Sequence, residues 1–274
     1  MAVHDENQIP PALLGFIDDA AVFPPGNAEL EDALNNHRDY RASWYEPLVG
    51  PLLLPATKLP RLLELWKSNE RLRIGLIGDT GIDGVAGALD SLPDHIEVAQ
   101  VETRAADTAA LHQLIGAAKN WGVPAYAEIS PVDDLTKHLE ILAETNISPK
   151  FRTGGIPADL LPTPDVLARV IISCAQLGLN FKLTAGLHHA IRHIDPATGA
   201  AHHGFANVLA GVYAAIDGAD IPDVADILHT STPDKLAAAI RPHLNQDRPL
   251  WVGFGSCSVL EPLEDLTELS LVKP

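Results

Sequence analysis

Eight short apolar runs alternate with amphipathic stretches along 274 residues, most of the runs finish on or beside an ionisable residue, and no linker or low-complexity tract interrupts them. Together these features predict a single-domain α/β chain, a (β/α)8 TIM barrel over residues 1–274. A doubly wound open sheet would alternate in the same way, but it often has fewer strands and a glycine-rich first turn, which this sequence lacks.

The first strand is expected in Leu13–Ala20 and is broken by Pro24-Pro25-Gly26, which can continue neither a helix nor a ladder. A helix follows over 28–44. Val49–Pro55 is short and apolar throughout, as a strand buried on both faces must be, and 59–67 carries the i, i+3, i+4 apolar spacing of a helix. Further strands are expected at 73–79, 96–104, 124–130, 150–153, 181–184 and 249–254. The intervening helices fall at 82–89, 108–121 (ended by Gly122), 131–145 and 166–177, with two more at 204–215 and 233–240 before the last strand and one at 260–271 after it. Ser130-Pro131-Val132-Asp133 and Thr163-Pro164-Asp165 read as helix starts, with a capping side chain, proline at the first helical position and an acid in the first turn.

A formal charge of −17 argues against nucleic acid or an anionic membrane surface as the main partner, since a diffuse negative field repels both. A small-molecule substrate is the expected partner, and an anionic one would need a local basic pocket. Cys174 and Cys257 are the two cysteines, far apart and in no metal-type spacing, which fits a reducing cytoplasm. The N-terminus lacks the basic and apolar regions of a signal peptide, and no apolar run approaches the length of a bilayer span. Assembly into a homo-oligomer is left open.

In a barrel of this kind chemistry sits at the carboxyl ends of the strands. Strands six and seven there read KFRTGG and KLTAG, separated by a helix long enough for a right-handed crossover, so Lys150 and Lys182 should finish on adjacent parallel strands. Two ammonium groups in a dry site disfavour each other's charge and can yield a neutral, nucleophilic amine. The competing view is that each lysine pairs with a carboxylate. Polar groups on the same rim include Asp18, Asp19, Lys58, Asp79, Glu102, Arg104, Glu128, Arg152, Thr153, Thr184, Ser256 and Ser258. The loop 187–204 carries His188, His189, His193, His202 and His203, enough for proton transfer near neutral pH or, in an alternative reading, for a divalent metal such as Zn or Mg. Its spacing matches no known ligand signature, so no metal or other cofactor is assigned. Gly253 to Ser258 ends the eighth strand in small residues, so Gly255, Ser256 and Ser258 are candidates for holding an anion.

These pieces resemble the class I, Schiff-base aldolases of the deoxyribose-phosphate aldolase type. Lys150-Phe151-Arg152-Thr153-Gly154 is similar to that family's Lys-x-x-Thr-Gly, Lys182-Leu183-Thr184-Ala185-Gly186 to its Lys-x-Ser-Gly-Gly, and Phe254-Gly255-Ser256-Cys257-Ser258 to its Phe-Gly-x-Ser-Ser segment; Glu128 stands where the family ends strand five. The resemblance implies an imine at Lys150, with Lys182 depressing its pKa, and a phosphate on the strand-eight loop. Where the family has Glu-Val-Asp on strand four, with the Asp in a proton relay, this chain has Glu97-Val98-Ala99, so Glu102, Glu128 or a loop histidine such as His188 or His189 would serve. Arg152, Thr153, Thr184, Asp18, Asp19 and His203 complete the expected substrate contacts. The expected function is an aldolase-like lyase on a small phosphorylated or carboxylated carbonyl compound. The alternatives are a metal-dependent lyase, isomerase or hydrolase using Glu128 and loop histidines, or a barrel that binds a small acid without turning it over.

Overall fold

The computed structural model describes residues 9–67, 69–154, 162–196 and 199–274; residues 197–198 of the histidine-rich loop and the first eight residues lie outside them. Eight parallel strands close into a barrel: β1 (Ile17–Asp19), β2 (Val49–Pro55), β3 (Leu72–Ile77), β4 (Ile96–Arg104), β5 (Ala125–Glu128), β6 (Ile147–Arg152), β7 (Phe181–Thr184) and, after a short antiparallel hairpin β8–β9 (His193–Ile194 with Ala201–His202), β10 (Trp251–Ser256). The ring runs β1-β10-β7-β6-β5-β4-β3-β2. This is the (β/α)8 barrel expected from the alternating pattern.

Among the described residues ten α-helices accompany the strands: α1 (Leu30–Arg41), α2 (Leu59–Leu65), α3 (Gly81–Leu89), α4 (Thr108–Ala118), α5 (Leu135–Ala143), α6 (Pro164–Leu177), α7 (Phe205–Ile216), α8 (Ile221–His229), α9 (Pro233–Ile240) and α10 (Leu260–Glu268). Thr163 caps α6 as its sequence implies, accepting from the Val166 amide. Ser130 does not start α5. Its hydroxyl accepts from the amides of Val132 and Asp133, closing a separate turn, and the helix begins four residues later. The first strand is shorter than expected because Pro11–Leu13 turns as a 3-10 helix. Helix α8, absent from the sequence reading, is fixed by a capping box between Asp220 and Asp223 and packs on α6 and α7.

Alternate strand residues face the helices. Leu52, Leu54, Ile74 and Leu76 belong to one apolar cluster, mostly residues 22–101, and Phe151, Phe181, Leu183 and Phe254 to a second that takes in the C-terminal half. The residues between them point into the barrel, which is lined by charge on one side and by little on the other. Gln100 of β4 donates to Asp18 of β1 across the interior, although the two strands are not neighbours. The room for such long side chains comes from glycine: a Cβ on Gly50 would overlap Asp18 Oδ1, and one on Gly75 would overlap Leu53. Each wall of β2, β4 and β10 also carries one extra residue in its pairing. The shifts fall at Gly50–Pro51, Ala99 and Val252.

Candidate active site

Register places Lys150 opposite Lys182, and Glu128 opposite Lys150, so three inward side chains from β5, β6 and β7 meet at one level. Glu102 rises between the lysines. One carboxylate oxygen lies 2.7 Å from Lys182 Nζ and the other 2.6 Å from Lys150 Nζ. Lys182 also contacts Asp18 Oδ2, and Lys150 contacts Glu128 at 3.0 Å. Gln100 Nε2 donates to Asp18 at 2.7 Å and to Glu102 at 3.0 Å, tying the two acids together. Arg152 continues the line to the mouth, its Nη1 3.9 Å from Glu128, with its side chain 42% exposed. Charge therefore alternates through the barrel: Arg152, Glu128, Lys150, Glu102, Lys182, Asp18.

This arrangement corrects one expectation. Lys182 does not keep Lys150 neutral. Burial alone would lower the Lys150 pKa, but the carboxylates of Glu102 and Glu128 outweigh it and raise the value above that of a free lysine. For Lys182 likewise, Asp18 and Glu102 outweigh burial and raise it. Burial works to raise Glu102, yet the two ammonium groups hold it down to about 2. At Asp18 burial prevails and the carboxyl is raised. The surrounding carboxylates thus favour the ammonium form of both lysines.

The Thr-Gly ends of β6 and β7 serve as a clasp. Thr153 donates through its hydroxyl to the carbonyls of Thr184 and Ala185 and through its amide to Thr184. Gly186, at φ +81°, lies so near Gly154 that a Cβ there would sit 3.0 Å from the Gly154 Cα. Thr153, fully buried, thus holds the two strand ends together and does not reach the mouth. Thr184 Oγ1 lies 3.5 Å from where a Gly255 Cβ would stand, which puts both residues on the inner wall.

Other candidates lie elsewhere. Asp19 faces outward and accepts from the Ala21 amide, with His37 of α1 3.0 Å away. Ser256 is buried and accepts from the Ser258 amide at 3.4 Å, while Ser258 accepts from the amide of Glu261 in the first turn of α10. His188 lies 3.2 Å from Glu261 and 3.7 Å from the Cys257 sulfur, and His189 is 3.4 Å from Asp265. His193 meets His189 edge-on and stacks on His202, both within the loop. His203 is buried against the Pro162 carbonyl at 2.7 Å; burial depresses it to about 4. Among the described residues no group of three His, Cys, Asp or Glu is placed to hold a metal ion.

Two members of the site were not singled out from the sequence. Gln100 is an amide and cannot relay a proton as an acid, yet it stands two residues before Glu102 and so shares its face. Tyr126, two residues before Glu128, places its ring 5.1 Å beneath the Lys182 ammonium. The same two-residue period would have found both.

A closed parallel barrel with a charged interior opening to its carboxyl end is an architecture that commonly carries enzymes. Searches among protein-family models, curated proteins and solved structures find nothing that matches this chain. Among the described residues no helix is long and apolar enough to cross a membrane.

Proposed function

We propose that the protein is a lyase of the Schiff-base aldolase type, acting on a small carbonyl compound that carries a phosphate or carboxylate. The observation that carries this reading is Glu102, whose two oxygens are each held by one of two lysines on adjacent strands. An acid so placed can pass protons to either amine. Lys150 is the nucleophile because it is nearer the mouth, with Glu128 and Arg152 beyond it.

Lys150 first gives a proton to Glu128, 3.0 Å away. In a water-poor interior a neutral amine and acid compete with the ion pair, because two buried charges are costly to desolvate. The amine then adds to the carbonyl carbon and gives its second proton to Glu102, 2.6 Å away, and the carbonyl oxygen leaves as water with the two protons carried by Glu128 and Glu102. The resulting iminium draws in the electron pair of the adjacent C–C bond as a carboxylate takes the β-hydroxyl proton. The enamine is reprotonated at carbon, and water hydrolyses the imine. Lys182 stays charged throughout and neutralises Asp18. Arg152 grips the anionic end of the substrate by a two-pronged contact.

Incubation with small aldehydes and 2-keto acids in the presence of borohydride tests the proposal. A stable adduct on Lys150, lost in Lys150→Met, is expected; adducts on no interior lysine would sink the imine.

A second reading is favoured by the carboxylates that keep both ammonium groups charged. Lys150 would then donate a hydrogen bond to a developing enolate without forming a covalent bond. Deuterium wash-in next to the substrate carbonyl, without borohydride trapping, is its signature.

A further inference from the structure

A cavity of about 170 Å³ opens on the side of the barrel away from the mouth. It is lined by Gly15, which precedes β1, by Arg73 and Tyr126 near the starts of β3 and β5, and by Gly50, Pro51, Ala99 and Val252. Its inner end is formed by Asp18, Gln100 and Lys182, whereas Lys150, Glu128 and Arg152 take no part in it. The three places where the barrel wall carries an extra residue, Gly50–Pro51, Ala99 and Val252, all lie on this cavity. Bulges re-aim a strand and open a sheet locally, so the cavity is a feature of the pairing and not a packing fault. A space of this volume with carboxylate, amide, phenol, ammonium and guanidinium groups around it holds several waters, each finding two or more polar partners.

We infer that this cavity is a water-filled proton port, through which the interior charge chain exchanges protons with solvent on the face opposite the substrate mouth. The inference rests on the acid–base reading of the same site. Lys150 touches Glu102 as well as Glu128, and a proton it gives to Glu102 moves inward: Lys182 takes it from Glu102 while giving one of its own to Asp18, and Asp18 gives one to a cavity water, which carries it out as hydronium. One proton leaves, Lys150 ends neutral, and every other group is restored. The reverse sequence reloads the site. A substrate seated in the mouth then does not trap the proton.

The port is tested on the protein alone, labelled with 15N-lysine, by the hydrogen exchange of the two ammonium groups in NMR. Ala99→Leu fills the cavity from its wall, and Val252→Phe does so from another strand, which covers the case of one variant misfolding. The port requires Lys182 Nζ exchange to slow at least tenfold in a folded variant. Unchanged Lys182 exchange in a folded, cavity-filled variant overturns it. Borohydride trapping is read separately on the same proteins: its absence with slowed exchange defeats the imine and leaves the port standing, and its presence with unchanged exchange does the opposite.

Discussion

Lys182 is 2% exposed and has two carboxylates for partners, so its removal leaves two buried acids without their cation. Lys182→Met is expected to cost about 3–5 kcal/mol in chemical denaturation, the usual penalty for breaking a buried pair from one side. His203 gives a pH signature of its own. Its folded pKa near 4 lies below the unfolded value of about 6.5, so the unfolded chain binds the extra proton and stability falls as pH drops from 6.5 towards 4. The loss reaches at most about 3 kcal/mol. His203→Leu should flatten thermal melts between pH 6.5 and 4.5; an unaltered slope would show that the acid loss arises elsewhere. Glu102 adds to it lower down, since its depressed pKa contributes stability above about 4.5 that is lost as pH falls towards 2.

At the scale of elements, the clasp between β6 and β7 decides whether the two lysines stay in register. Thr153→Val keeps the shape but removes the hydroxyl donor to two carbonyls, and should cost about 1–2 kcal/mol. Gly186→Ala combines a left-handed backbone with a Cβ pressed on Gly154. It should be the more damaging change, and amide exchange at the β6 and β7 carboxyl ends should rise first. What could be read from the sequence follows the same division. A strand buried on both faces, such as β2, announces itself as an apolar run, and the expected bounds of β2, β4 and β7 match the structure to the residue. The capping box of α8 was equally present but sat in a stretch with no strand to set its frame. The rim position of Lys150, Glu102 and Glu128 followed from strand ends alone. Their state of charge did not, because it depends on which carboxylate crosses the barrel to meet which amine, and Asp18 and Glu102 are 84 residues apart in the chain. Nor does a strand end give direction: it sets the level of a residue, and a one-residue shift sends a side chain such as that of Asp19 to the outer face, against His37.

The molecule as a whole keeps an ionic centre where most such barrels pack branched apolar side chains. Replacing Asp18, Gln100, Glu102, Glu128, Lys150 and Lys182 together by Leu or Met removes the interior partners at once and leaves the half-exposed Arg152 at the rim. The combined variant should match or exceed the parent in stability, although each charged member alone is costly to remove. Equal destabilisation by the combined change would mean that the charges themselves hold the barrel closed.

The chain from Arg152 to Asp18 contains three cationic and three anionic side chains and is neutral in sum, so the excess of seventeen negative charges lies wholly outside it. An approaching anion is therefore repelled by the molecule at long range and meets attraction close in, at the Arg152 guanidinium on the rim. Salt screens the first over about 8–10 Å and weakens the short contact less. Capture of an anionic substrate should consequently quicken as ionic strength rises, the reverse of a protein that steers its ligand in by its overall field.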